Sequence, residues 1–208
     1  MFKIFDINGK FYQFALKYSQ LLWVSILTLV CGIPIVTIGA SVTAMHKVLF
    51  DIRKDQENGI TRTFFRTFRE NFKQATLIWL VFLLFFTIVI LDYFLIPTMG
   101  SFLHLIVSYT MPLILIVGLI CLCWVFVLQF RYRNTVLGTI RLAFIVGVTH
   151  PLKTVVMLVL LVTPLLLLIQ YMAFAPLVLG VACPLCGLLR SMVYSTVFEK
   201  LEKPAETE

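Results

Sequence analysis

The feature that most constrains this chain is the run 75–96, 22 residues broken by a single charge, Asp92. A stretch that apolar has no stable place in water, and its length matches the roughly 20 helical residues that cross a bilayer core of about 30 Å. Comparable runs recur. Residues 19–50 are uncharged until His46 and Lys47, residues 102–130 carry no acid or base stronger than His104, and 154–174 and 176–198 follow with only Ala175 between them. With 61% of the residues hydrophobic and 13% charged, too few polar side chains exist to cover a soluble globule. The expectation is an all-α fold: one integral membrane domain over 1–208, a polytopic transmembrane helical bundle of about five spans. These lie near 19–50 (kinked), 75–96, 102–130, 154–174 and 176–198, with surface segments at 51–74 and 131–153.

The net charge of +7 would suggest nucleic acid in a soluble protein. Here the cations flank apolar runs, so orientation in the bilayer explains them and no nucleic-acid partner is expected. Arg53, Lys54, Arg62, Arg66, Arg69, Lys73, Arg131, Arg133, Arg141, Lys153, Lys200 and Lys203 gather on one side of a five-span reading. The turns 97–101 and 175–176 on the other side hold no Lys or Arg. The cationic side, with the C-terminus, is therefore expected in the cytoplasm of a cell-membrane protein. The N-terminus depends on residues 19–50. A single kinked crossing puts Lys3, Lys10 and Lys17 outside, and a fold-back at Gly32-Pro34 or Gly39 puts them inside; the single crossing is taken as the expectation.

Within 51–74, Phe64, Phe65, Phe68 and Phe72 fall at i, i+1, i+4 and i+8, and Phe64, Phe68 and Phe72 form the candidate contact face, while Arg62, Arg66, Arg69 and Lys73 take the other face. Such a pattern reads as a basic amphipathic helix on the membrane surface, touching anionic lipid or a partner. Pro34, Thr37 and Gly39 interrupt the first run, and a broken helix exposes backbone groups that can coordinate an ion or substrate. The competing reading of that break is a kink that allows close helix packing. Asp92 and Arg190 lie inside apolar runs, where ionisable residues are functional suspects, and Arg190 is a further ligand-binding candidate or a headgroup anchor. His46, His104 and His150 read as interfacial. The pairs Cys121/Cys123 and Cys183/Cys186 read as apolar residues rather than as a metal set, so neither metal nor cofactor is expected. An 80-residue offset aligns Phe50-Asp51-Ile52-Arg53 with Phe130-Arg131-Tyr132-Arg133, which raises an internal repeat of kinked span, surface helix and straight span.

No phosphate loop, nucleophile elbow or zinc-helix motif is present, and an enzyme is not expected. Leu21-Leu22-Trp23, Pro34 through Ser41, Thr43-Ala44-Met45, and Phe64 with Phe68 through Ala75 before Trp79 resemble the YesL-like family of bacterial membrane proteins. That resemblance, strongest between Leu21 and Trp79, brings no established catalytic or ligand residues. It implies company with polysaccharide-degrading enzymes and carbohydrate uptake systems. The functional expectation is an accessory or assembly component of a carbohydrate-related transport system, with the bilayer and a transporter subunit as partners. The alternative is a small transporter with its site at the broken first helix, and an enzyme acting on lipid ranks third.

Overall fold

The computed structural model describes residues 10–54, 59–95, 101–132, 134–171, 178 and 182–202. Seven α-helices account for nearly all of them: α1 (Lys10–Gly32), α2 (Ile38–Arg53), α3 (Ile60–Leu95), α4 (Ser101–Arg131), α5 (Val136–Thr149), α6 (Pro151–Gln170) and α7 (Cys183–Glu202). No strand occurs among the described residues. Five stretches are long and apolar enough to cross a membrane: Ala15–Gly32, Ile35–Arg53, Ile60–Phe94, Leu105–Arg131 and Pro151–Gln170. The protein is an all-α membrane protein, with five such helices among the described residues.

The number agrees with the expectation, but the set differs. The run 19–50 is two helices rather than one kinked crossing. Pro34 takes an extended backbone (φ −71°, ψ 116°), because proline cannot supply the amide hydrogen that continuing α1 would require, and a 3-10 turn Ile35–Thr37 then starts α2. Contacts along α3 give the directions. Trp23 of α1 donates its indole N–H to the Thr61 hydroxyl at 2.9 Å, near the start of α3. Trp79, 18 residues further along, donates to the carbonyl of Ile35 at the break, at 2.7 Å. α1 therefore rises along α3 and α2 descends, so the two form a hairpin. Val24 and Leu27 of α1 pack with Ala44, Val48 and Ile52 of α2 and Phe64 of α3 in one buried cluster.

Residues 60–74 are not a separate surface helix. They are the first turns of α3, which continues for 36 residues, about 54 Å, into the apolar run. Residues 131–153 do contain a separate helix, α5, whose Thr135 cap accepts from the Gly138 amide at 3.2 Å. Its 14 residues span only about 21 Å, too short to cross. It packs on α4 through Ala143, Val146 and Gly147 instead of lying alone on the surface. At the C-terminal end, the described residues of 176–198 are 178 and 182–198, with α7 beginning at Cys183. The 80-residue repeat does not extend to structure: the first unit is a hairpin followed by one continuous helix, the second a single helix, a short helix and α6. The turns 97–100 and 175–176 and the tail 203–208 lie outside the described residues.

The core is asymmetric along the bundle. From Cys123 to Gln129, α4 is buried on every side. Trp124, wholly enclosed, donates its indole N–H to the Thr154 hydroxyl of α6 at 3.0 Å. Beyond this layer α3, α4 and α6 turn large apolar side chains outward, among them Leu84, Ile90, Leu113, Ile116, Leu165 and Ile169. Such surface suits hydrocarbon, which solvates aliphatic groups without the cost that water would impose.

Candidate functional site

Three places carry polar chemistry, and the helix break is the first. The Thr37 hydroxyl lies 2.6 Å from the Cys31 carbonyl and 2.7 Å from that of Pro34, its hydrogen shared between them. The Ile35 carbonyl takes the Trp79 indole N–H, and the Thr37 and Ile38 amides donate to Pro34 and Ile35. The Cys31, Pro34 and Ile35 carbonyls at the break are thus engaged within the protein. Pro34 itself is exposed. Gly39 is buried, and a Cβ there would sit 2.5 Å from the Ala75 carbonyl oxygen and 2.8 Å from Trp79 Cβ. Gly39 closes a helix contact between α2 and α3.

The second place is a buried polar layer between α2, α4 and α7. Phe50, Phe130, Tyr194 and Phe198 form a four-ring cluster with every centroid pair 5.7 to 6.3 Å apart. Tyr194 lies across it, donating its hydroxyl hydrogen to the His46 carbonyl at 2.9 Å while the His46 ring meets the Tyr194 ring edge-on at 5.6 Å. Cations close one end. The Arg131 guanidinium lies 5.3 Å from the Phe50 centroid and the Lys54 ammonium 4.6 Å from it, distances at which the ring quadrupole attracts positive charge. Arg53 donates to the Ser191 carbonyl at 2.9 Å and to the Ser195 hydroxyl, and Lys153 to the Thr196 hydroxyl at 2.8 Å. The ends of α2, α4 and α7 and the start of α6 therefore share one cationic end, as charge topology requires. Tyr194→Phe keeps the ring packing and loses one buried hydrogen bond. It is expected to lower stability by ~1 kcal/mol, whereas Tyr194→Ala should lower it by about 3–5 kcal/mol, read as loss of thermal stability in detergent.

Deeper along α7, Arg190 is 7% exposed and lies beside His46, Cys123 and Cys186. Its sequence assignment as an intramembrane charge fits this burial. His46 is wholly buried rather than interfacial, a residue that sequence reasoning missed. The fold-back at Pro34 carries it inside, and the sequence signal was the near-continuous run of small and apolar residues on α2. Asp92 is only half-buried near the far end of α3, well away from this layer. Among the described residues, no three of His, Cys, Asp and Glu gather as metal ligands.

The third place is the first half of α3. Arg62, Arg66, Arg69 and Lys73 are exposed, as the helical spacing requires. The aromatic face divides. Phe64 is fully buried in the α1–α2 cluster and so cannot touch lipid or a partner; Phe68 is half-buried against that cluster, and Phe72 is exposed. Phe65, the second ring of the pattern, is 48% exposed and takes the outward role. Phe65, Phe68, Arg69, Phe72 and Lys73 line an open cleft of about 530 Å³. The reason for the division is that α3 has helices on one side only, so residues a third of a turn apart differ in burial.

Residues 16–93, from α1 to the end of α3, match the model of a family described as "Protein of unknown function, DUF624". The stretch is similar to a family without a known activity. It contains the break, the basic face and His46, but neither Arg190 nor Tyr194. No curated protein and no solved structure matches the chain.

Proposed function

We propose that this protein is a non-enzymatic accessory or assembly component of a membrane transport system, and that the first half of α3 is the face it offers to a transporter subunit. The observation that carries this reading is the cleft lined by Phe65, Phe68, Arg69, Phe72 and Lys73, in which exposed aromatic rings alternate with cations. Aromatic and arginine side chains are the types enriched where one protein binds another. The interior lends support. Buried hydroxyls of Ser25, Ser41, Thr43, Thr139, Ser191 and Ser195 donate to carbonyls of their own helices, which leaves few groups to line a solute path. The engaged carbonyls at Pro34–Thr37 weigh in the same direction against the alternative of a small transporter with its site at the break. A carbohydrate uptake system is the first partner to examine, because the family resemblance implies that company. The cytoplasmic side is assigned to the cationic end by its charge.

The test is affinity purification of the tagged chain from its native membrane in mild detergent, followed by mass spectrometry. A transporter subunit is expected in near-stoichiometric amount. It should be depleted at least tenfold when Arg62, Arg66, Arg69 and Lys73 are together replaced by Gln, changes on exposed side chains that leave the core intact. Recovery of the chain alone overturns the accessory role, and undiminished recovery with the quadruple variant moves the contact off α3.

A further inference from the structure

The buried layer contains a cation without a counter-charge. Arg190 is 7% exposed, its Nε has no hydrogen-bond partner, and among the described residues no carboxylate pairs with it. Guanidinium does not lose its proton in proteins, so neutralisation is not an escape. A buried charge left unpaired costs several kcal/mol. His46, packed edge-on against Tyr194 one helical turn along α7 from Arg190, is wholly buried with both ring nitrogens unpartnered. One of those nitrogens carries a hydrogen in the neutral ring, and both do in the charged one. The other titratable groups that act on Arg190 are the Cys123 and Cys186 thiols and Tyr194, whose hydroxyl hydrogen is already committed to the His46 carbonyl. The nearest carboxylate on α2, Asp51, is 2.7 Å from the Lys47 ammonium. Of the other cations facing α7, Arg53 is held by Ser191 and Ser195, Lys153 by Thr196, and Arg131 lies over the Phe198 ring.

The chemistry is one-sided: a fixed cation, an imidazole and two thiols, with donors in excess and no acid. We propose that Arg190 and His46 bind a compact inorganic anion of chloride size between α2, α4 and α7. The binding groups are the Arg190 guanidinium and one His46 ring N–H, with the Cys123 and Cys186 thiols as weaker donors. Compactness follows from enclosure. Both side chains are more than nine-tenths buried. The ion ties three helices together, because His46 comes from α2, Cys123 from α4 and Arg190 from α7. This assignment is independent of the partner role of α3.

The test is thermal unfolding of the purified full chain in a non-ionic detergent, followed by tryptophan fluorescence, with gluconate exchanged for chloride at constant ionic strength. Chloride is expected to raise the midpoint saturably by several degrees, bromide to substitute for it, and Arg190→Met to abolish the rise. A midpoint that is the same in gluconate and chloride overturns the proposal. A rise that persists undiminished in Arg190→Met overturns it too, since the ion then binds elsewhere, and stabilisation by phosphate without chloride overturns the size assignment. If Arg190→Met does not fold, chlorine-35 line broadening by the wild-type chain, reversed by bromide, supplies the binding readout. The absence of that broadening overturns the proposal.

Discussion

Gly39→Val is expected to prevent accumulation of folded protein, and Gly39→Ala to destabilise it by about 2 kcal/mol or more, at the upper end of what overpacking costs. The Cβ added at Gly39 meets the Ala75 carbonyl oxygen at 2.5 Å and the Trp79 Cβ at 2.8 Å, with the Phe126 ring at 3.0 Å. The first two belong to backbone and to the root of a side chain. Neither can swing aside, so α2 must move off α3, and the Trp79–Ile35 hydrogen bond goes with it. Gly118→Ala is the instructive contrast, because its Cβ would meet only the distal edge of the Phe85 ring, which can rotate away. Gly32→Ala is the neutral control: the nearest atom to its Cβ is Ile38 Cγ1 at 3.9 Å, so a change within about 0.5 kcal/mol is expected. The measurement is the yield of monodisperse protein in detergent and its unfolding midpoint across the four variants. A Gly39→Ala protein as stable as wild type would show that the break is not a packing device.

How much of this was legible beforehand differs from feature to feature. The fold class was, because apolar runs of bilayer length leave helices as the only backbone that satisfies itself in hydrocarbon. The exposed cations of α3 were legible too, since charge on one helical face fixes which face avoids the core. The fate of residues 19–50 was not. Proline at 34 states that the helix must break, but a kink and a reversal are equally compatible with the local chain. What decides between them is remote: Trp79, 44 residues beyond Ile35, donates to the Ile35 carbonyl just after the break, and Ala75 lies against Gly39. Phe64 fails for a related reason. Its spacing with Phe68 and Phe72 is the same whether that face meets lipid or protein, and only the fold-back puts α1 and α2 against it. The polar layer needed both, as Arg190 was visible as a charge out of place while His46 acquires its meaning only once α2 turns back toward α7.

The reversal at Pro34 has a consequence for the N-terminus that labelling reads as all or none. If α1 and α2 are a hairpin, the start of α1 lies at the same end of the bundle as Arg53; Arg53 is bonded to Ser191 and Ser195 in the middle of α7, and Lys153 to Thr196 one residue further toward its C-terminal end. The two termini therefore share a side, whichever side that is. Single cysteines at Ala15 and at Glu199, both exposed positions, should behave alike toward a membrane-impermeant thiol reagent. With the cationic end in the cytoplasm, both are expected to be protected in intact cells and labelled after permeabilisation. The unsubstituted chain measures the background from its five native cysteines, two of them buried and three half-buried. A single kinked crossing predicts the opposite for Ala15→Cys alone, with labelling from outside while Glu199→Cys stays protected. Labelling of both from outside would preserve the hairpin and reverse the orientation of the whole bundle, so the pair of sites separates the fold-back from the assignment of sides.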